Sequence, residues 1–359
     1  MTKQFMEGNV AMAEAAVAAG CRFFVGFPIT PQSSIPEYLS SRLPQVGGTY
    51  LQAESETVSA NILLGASIAG ARAMTATSGP GFSLMAEGMS FMTAAQAPAV
   101  IIDVARPGPG LGGIDGSDED YHYATKAPGA GGGRAFVIAP GNLQEAVDFV
   151  YQAFDIADKY RSLVIVLTDK MIGATKEAVE LPALRDLSTL PDKSSWVITK
   201  RDNLDPASRR MFPLKRPDGV PFGPALEMFN KQMAEKYKVW ERDEMRWEEY
   251  QLEDAEFVIF AYGSVSRICR AAVKQLRREG YKVGMFRPIT LFPFPVRQIA
   301  ALDYRRIKKA LCVEMAVPGQ MADDVERALP HTMALEQYGR SGGCIVMPSE
   351  VVAKVKELY

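Results

Sequence analysis

Residues 72–104 read RAMTATSGPGFSLMAEGMSFMTAAQAPAVIIDV. Two short apolar runs, Arg72 to Thr77 and Ala99 to Val104, flank a stretch rich in Ala, Met and Phe from Gly81 to Ala95 that has the length and composition of a helix. Neither run alternates apolar with polar residues, so each is expected to be a strand covered on both faces. Strand, helix and strand in that order make a βαβ unit with parallel strands.

The same alternation extends in both directions. Upstream, Asn9 to Ala19 reads as a helix stopped by Gly20, Arg22 to Phe27 as a buried strand stopped by Pro28, Thr49 to Gln52 as a short strand, and Glu56 to Ala69 as an apolar, small-residue helix. Downstream, Ala135 to Ile138, Leu143 to Tyr160 and Leu163 to Leu167 repeat strand, helix and strand. The pattern breaks between about 171 and 254, where Pro182, Pro191, Pro206, Pro213, Pro217, Pro221 and Pro224 precede a charged helical run, Met228 to Glu249. Trp240 and Trp247 are expected to anchor that helix to a core or a partner. Alternation resumes at Ala255, with strands expected at Phe257 to Ala261, Lys282 to Phe286, Ala310 to Glu314 and Cys344 to Met347. Helices are expected at Val265 to Glu279, Gly319 to Leu329 and Ser349 to Leu358. The expected organisation is a first α/β domain over 1–175, a linker with a charged helix over 176–254, and a second α/β domain over 255–359.

Composition narrows the partners. With 359 residues, 47% of them apolar, 23% charged and a net charge of −2, the chain gives no electrostatic reason to expect nucleic acid or an anionic membrane. No run reaches the roughly 20 apolar residues of a membrane span, and the first residues lack the apolar core of a signal peptide, so a cytoplasmic enzyme is expected. Cys21, Cys269, Cys312 and Cys344 are too scattered to hold an iron–sulfur cluster.

Parallel sheets bind ligands beyond the carboxyl ends of their strands, which directs attention to the loops after Phe27, Gln52, Thr77 and Val104. In Gly26-Phe27-Pro28-Ile29-Thr30-Pro31-Gln32-Ser33-Ser34, Pro31 suits a first helical turn and Thr30 its N-cap. Glu54-Ser55-Glu56 places two carboxylates at the head of an apolar helix, as caps or as an acid/base. Thr77-Ser78-Gly79-Pro80-Gly81 is a turn whose glycines let a ligand approach the backbone, though it is neither a P-loop nor a dinucleotide fingerprint. Arg106 ends a buried strand before a Pro/Gly loop, where a guanidinium can grip a carboxylate or simply face solvent.

Together these stretches resemble the α subunit of 2-oxoacid:ferredoxin oxidoreductases. The likeness is carried by Phe27-Pro28-Ile29-Thr30-Pro31-Gln32-Ser33, Gln52-Ala53-Glu54-Ser55-Glu56, Gly65 to Arg72, Thr77 to Gly81 and Val104-Ala105-Arg106. Tyr262-Gly263-Ser264, Arg287 to Pro293 and Glu314-Met315 with Gly319-Gln320 extend it into the C-terminal half. The resemblance implies a doubly wound parallel sheet of the thiamine diphosphate pyrimidine type, followed by a transketolase C-terminal-like domain. It assigns Glu56, nine residues before Gly65, to N1′ of the aminopyrimidine. There it would favour the imino tautomer that deprotonates thiazolium C2. Thr30 and Arg106 match the residues that hold the 2-oxoacid carboxylate. Glu56, Thr30 and Arg106 are thus the expected catalytic residues, and Pro28, Ile29, Thr30, Glu56, Ser78 and Gly79 the expected cofactor contacts, with no metal ligand.

No G-D-G followed by N-N is found, Asp115-Gly116 being only a fragment of that pattern. The resemblance therefore implies a shared thiamine diphosphate, with Mg²⁺ and a [4Fe-4S] cluster on a β subunit, further γ and ferredoxin-like δ subunits, and a dimer of such heteromers. Coenzyme A would accept the acyl group and ferredoxin the electrons. Many relatives carry a His-Gly-Asp stretch where this chain has Lys126 to Arg134, with His122 nearby. Ile35 to Leu39 and the Gly108-Pro109-Gly110-Leu111-Gly112 loop look closest to the 2-oxoisovalerate type, with aromatic and dicarboxylic oxoacids as alternatives. The competing readings are a self-sufficient thiamine-dependent lyase or transketolase-like enzyme, and a non-catalytic scaffold on the same fold.

Overall fold

The computed structural model describes residues 3–198 and 220–359. Pro206, Pro213 and Pro217 of the proline-rich stretch lie outside the described residues, as do Met1 and Thr2. In chain order the strands are β1 (Gln4–Glu7), β2 (Phe23–Gly26), β3 (Thr49–Gln52), β4 (Ala73–Thr77), β5 (Ala99–Ala105), β6 (Phe136–Ile138) and β7 (Leu163–Asp169). They continue as β8 (Lys176–Val179), β9 (Trp247–Tyr250), β10 (Phe257–Phe260), β11 (Val283–Pro288), β12 (Thr290–Phe292), β13 (Lys309–Glu314) and β14 (Leu335–Gly339).

The larger sheet runs β12-β6-β7-β5-β4-β2-β3 and is parallel except for β12, which pairs antiparallel with β6. Every residue of β4, β5, β6 and β7 is buried, which is why these runs do not alternate. Their side chains divide by period two. Ile101, Val137 and Ile165 join one core, whereas Val100, Ile102, Phe136 and Val166 join the other. Each such side chain contributes about 1.5–3 kcal/mol by leaving water. The Ser34–Gln45 helix that follows β2 packs Ile35, Leu39 and Leu43 into the second core, and the Glu56–Ile68 helix that follows β3 packs Ala60 and Leu63 into the first. The chain therefore leaves β2 for β3 on one side and returns past β2 to β4 on the other. That reversal opens a crevice at the carboxyl ends of β2 and β4, where parallel sheets bind ligands.

The smaller sheet runs β14-β13-β10-β11-β9, parallel except for β9. β1 and β8 form a separate antiparallel pair. β12 is supplied by the segment just after β11, so the C-terminal half contributes one edge of the larger sheet. Arg287, 4% exposed, locks this join through Glu145 and the Ala139 carbonyl. The Arg287 to Pro293 motif is thus spent on architecture.

Three expectations need correction. The charged helix spans Phe222–Asp243, earlier than expected, and Trp247 lies in β9. Trp240 is fully buried and packs edge-on against Phe136, Tyr160 and Phe292, while Trp247 is drawn out of the helix by antiparallel pairing with Pro288 of β11. Cys344 to Met347 is not a strand. Gly342 and Gly343 take positive φ, Met347 caps the Pro348–Leu358 helix, and the place beside β13 belongs to Leu335–Gly339. The helix expected from Gly81 to Ala95 is two, Pro80–Leu84 and Ala86–Ala95, broken at the buried Met85.

Candidate active site

The turn after β4 begins with Thr77 and Ser78, both fully buried, whose hydroxyls have no hydrogen-bond partner among the described residues. Gly79 follows at φ +46, where a Cβ would lie 2.9 Å from Arg106 Cγ. Only glycine satisfies both the left-handed backbone and the close approach. Arg106, 6% exposed, lies under this turn. Its Nη1 donates to the Thr30 carbonyl at 2.9 Å and its Nη2 to the Leu111 carbonyl at 2.9 Å, while Nε is buried without a partner among the described residues. Arg106 is therefore no solvent-facing residue. It ties the loop after β2 to the loop after β5.

Glu56 is the first residue of its helix, but the capping work is done by Ser55, whose hydroxyl accepts the Val58 N–H at 3.3 Å. Glu56 is 4% exposed, whereas Glu54 is exposed. Its carboxylate accepts no hydrogen bond among the described residues and faces Gly81. A Cβ on Gly81 would sit well inside van der Waals contact of Glu56 Oε1 and 2.5 Å from Thr77 Oγ1. Only a bare glycine lets the carboxylate and the Thr77 hydroxyl come this close to the turn.

Thr30 is not a helix cap. The helix begins at Ser34, and residues 27–33 form a turn whose carbonyls are taken by side chains. Gln32 donates to Phe27 O at 3.0 Å, Asn9 to Pro31 O at 2.8 Å, and Arg106 to Thr30 O. These outside donors hold the chain extended past the point where Pro31 could have opened a helix. Pro28 and Thr30 are exposed and Ile29 is half-buried on this rim. The structure thus joins Thr30, Gly79 and Arg106 directly, and places Glu56 on the far side of the Gly79–Gly81 turn from Arg106.

Several buried acids escaped sequence reading. Asp103, fully buried in β5, and Asp120 lie behind Gly79 and Arg106. A carboxylate inside an otherwise apolar strand was a visible signal. At the junction of the two sheets, burial pushes Asp118 well above the usual carboxyl range and Asp169 to about 6. Asp118 accepts the Met315 N–H at 2.7 Å and Asp169 accepts the Ser264 hydroxyl. Glu314 accepts the N–H groups of Gln320, Met321 and Ala322, capping the Met321–Ala328 helix. A cleft of about 740 Å³ opens beyond Arg106, between Gly79, Pro80 and Tyr123 on one side and Val317, Pro318 and Asp323 on the other. His122 lines it, with Nε2 3.1 Å from Gln320 O and 3.2 Å from Asp323. Among the described residues no cluster of His, Cys, Asp or Glu is arranged to hold a metal, and no helix is long and apolar enough to cross a membrane.

A doubly wound sheet with a carboxylate at the carboxyl edge, followed by a smaller α/β unit, is the architecture of thiamine diphosphate-dependent enzymes. A split-gene transketolase, an inactive β4 tetramer, superposes over 99% of this chain and 98% of its own with a TM-score of 0.59 at 14% identity, a likeness of fold alone. Residues 14–245 match the family described as pyruvate flavodoxin/ferredoxin oxidoreductase, thiamine diphosphate-binding, and residues 255–351 match pyruvate:ferredoxin oxidoreductase core domain II. The chain belongs to this family of oxidoreductase subunits. It is 42% identical to ketoisovalerate oxidoreductase subunit VorB of Methanothermobacter thermautotrophicus, over 100% of this chain and 98% of the relative. A 2-oxoglutarate:ferredoxin oxidoreductase from Magnetococcus marinus, solved with 2-oxoglutarate, coenzyme A and succinyl-CoA bound, superposes with a TM-score of 0.85 at 25% identity over 99% of this chain. This chain spans 65% of that longer one.

Proposed function

We propose that this chain is the α subunit of a 2-oxoacid:ferredoxin oxidoreductase and faces the aminopyrimidine of a thiamine diphosphate shared with a partner subunit. The observation that carries this reading is Glu56, a glutamate only 4% exposed whose carboxylate accepts no hydrogen bond among the described residues and lies against the bare Gly81 beside Thr77. A carboxylate so little exposed gains from a hydrogen-bond donor, and none among the described residues supplies it. The ring N1′ is such a group, and Glu56 would hold a proton there. The unpartnered hydroxyls of Thr77 and Ser78, with Gly79, Pro28 and Ile29, fit the remaining contacts. When bound, thiamine diphosphate supplies the electron sink that stabilises the charge left as CO₂ departs. Thr30 and Arg106 orient the 2-oxoacid carboxylate, for which the buried Arg106 Nε is a free donor.

The cleft beyond Arg106 favours an apolar substrate side chain. Its other charged groups include Glu119, Asp120 and Asp323, which would repel a second carboxylate, and Tyr123, Val317 and Pro318 offer apolar contact. We therefore favour a branched-chain 2-oxoacid over an aromatic or dicarboxylic one, in keeping with the ketoisovalerate relative. The acyl group would pass to coenzyme A. Electrons would reach ferredoxin through [4Fe-4S] clusters on partner subunits, with Mg²⁺ and the diphosphate on β, and γ and δ completing a dimer of heteromers in the cytoplasm. On this reading residues 1–175 bind the pyrimidine, 176–254 link, and 255–359 serve assembly.

The test is the co-expressed complex, assayed with a panel of 2-oxoacids, coenzyme A and a viologen acceptor. 2-Oxoisovalerate should exceed 2-oxoglutarate in kcat/KM by about tenfold or more, the worth of one misplaced charge. Glu56→Gln should lower turnover by about two orders of magnitude or more with assembly intact. Near-normal turnover by that variant rejects the mechanism, and a preference for 2-oxoglutarate rejects the substrate class alone.

A further inference from the structure

Asp103 interrupts the apolar run of β5, opposite Thr77 of β4 and Leu167 of β7. It is fully buried, and among the described residues neither carboxyl oxygen has a hydrogen-bond donor. Its polar neighbour is the carboxyl group of Asp120. Two ionised carboxylates present only acceptors, so a bond between them requires a proton. The other contacts of Asp120 indicate which partner is ionised. It accepts the Gly79 N–H at 3.1 Å and lies beside the backbone N–H of Arg106, both favouring its charged form. Burial, then the charge of Asp120, pushes the Asp103 carboxyl well above its usual range. Burial raises Asp120 as well, but the two backbone N–H groups counter that rise. Asp120 thereby fastens the turn after β4 to the turn after β5, the two turns that carry the site.

We propose that Asp103 and Asp120 are a proton-sharing pair of positioning residues, in which neutral Asp103 donates to ionised Asp120 and Asp120 sets the Gly79 and Arg106 backbones. The positioning role rests on the function proposed above; the shared proton does not. Glu119 is a charged side chain beside Asp120, and its negative charge favours the proton on the pair. An asparagine at 103 still offers Asp120 a donor, whereas an alanine leaves that carboxylate facing a void.

The experiment uses the assembled complex as wild type, Asp103→Asn and Asp103→Ala. The infrared difference spectrum of wild type minus Asp103→Asn at about pH 8 should contain the carbonyl stretch of a protonated carboxylic acid. Its absence overturns the shared proton whatever the enzyme does. Asp103→Ala should raise KM for the 2-oxoacid about tenfold or more, with a smaller change in kcat, and Asp103→Asn should restore KM to within about threefold of wild type. Unchanged KM in the alanine variant overturns the positioning role. Should the alanine variant fail to assemble, Asp120→Asn, which keeps the volume but loses the charged acceptor, should show the same rise in KM. Should the complex turn over no 2-oxoacid, thiamine diphosphate affinity replaces KM in the same comparison, weakened by alanine and restored by asparagine.

Discussion

Gly81 lies in the first turn of the Pro80–Leu84 helix without a positive φ, so alanine there meets no backbone penalty. What it meets is Glu56 Oε1 and Thr77 Oγ1. Overpacking costs about 1–3 kcal/mol where the neighbours cannot move, but here one of them can. The Glu56 carboxylate is the freer of the two neighbours and should swing away. Gly81→Ala should therefore weaken thiamine diphosphate binding by the complex about tenfold or more while leaving thermal unfolding of the chain nearly unchanged, as a fluorescence titration beside a melting curve would show. An unaltered affinity would mean that Glu56 does not face the cofactor. At this scale the sequence was informative where one residue broke a pattern, as Glu56 does at the head of an apolar helix. It was silent on pairings. Asp120 lies 17 residues after Asp103, beyond a Pro/Gly loop, and no local signal brings the two together.

The Met321–Ala328 helix depends on a carboxylate outside itself. Glu314, at the end of β13 and 2% exposed, accepts three of the helix's first N–H groups at 2.7–3.0 Å. Glu314→Ala would strand those donors in a buried place, at a cost of about 2–4 kcal/mol. The urea midpoint of the chain should fall accordingly, and Glu314→Gln, which keeps one acceptor, should fall less. Equal losses in both variants would deny the cap. Elements were legible when buried and regular, as with β4, β5 and β7. β9 and β14 were missed because they are half-exposed edge strands of polar sequence, Trp247-Glu248-Glu249-Tyr250 and Leu335-Glu336-Gln337-Tyr338-Gly339, placed by their neighbours rather than by an apolar pattern.

Across the whole molecule, the two sheets meet through buried acids whose ionisation opposes folding. Asp169, 3% exposed, accepts the Ser264 hydroxyl across that junction, and burial lifts it to about 6, above its value of about 4 in the unfolded chain. The folded state thus holds the proton more tightly. The stabilising contribution is complete below about pH 4 and is lost as pH rises through about 6. Asp169→Asn can still accept the Ile172 N–H through its amide oxygen and donate to Ser264 Oγ through its amide nitrogen, without the titration. Between about pH 5 and pH 7 wild type should lose about 1 kcal/mol more stability than this variant, measured by denaturant unfolding at both values. Parallel slopes would assign the pH response elsewhere. The strands β10, β11 and β13 of the smaller sheet could be read from the resumption of alternation at Ala255, but not the crossing of β12 into the larger sheet, since Thr290-Leu291-Phe292 is too short to declare its partner.

That exchanged strand bears on how such a protein could be taken apart. A gene divided near residue 254 would yield a front fragment whose last rib, β6, lies naked along one margin, with its amides and carbonyls unanswered. Such a fragment should clump or scavenge foreign peptides until the back fragment is supplied. The two pieces should then knit into a working whole only when made together.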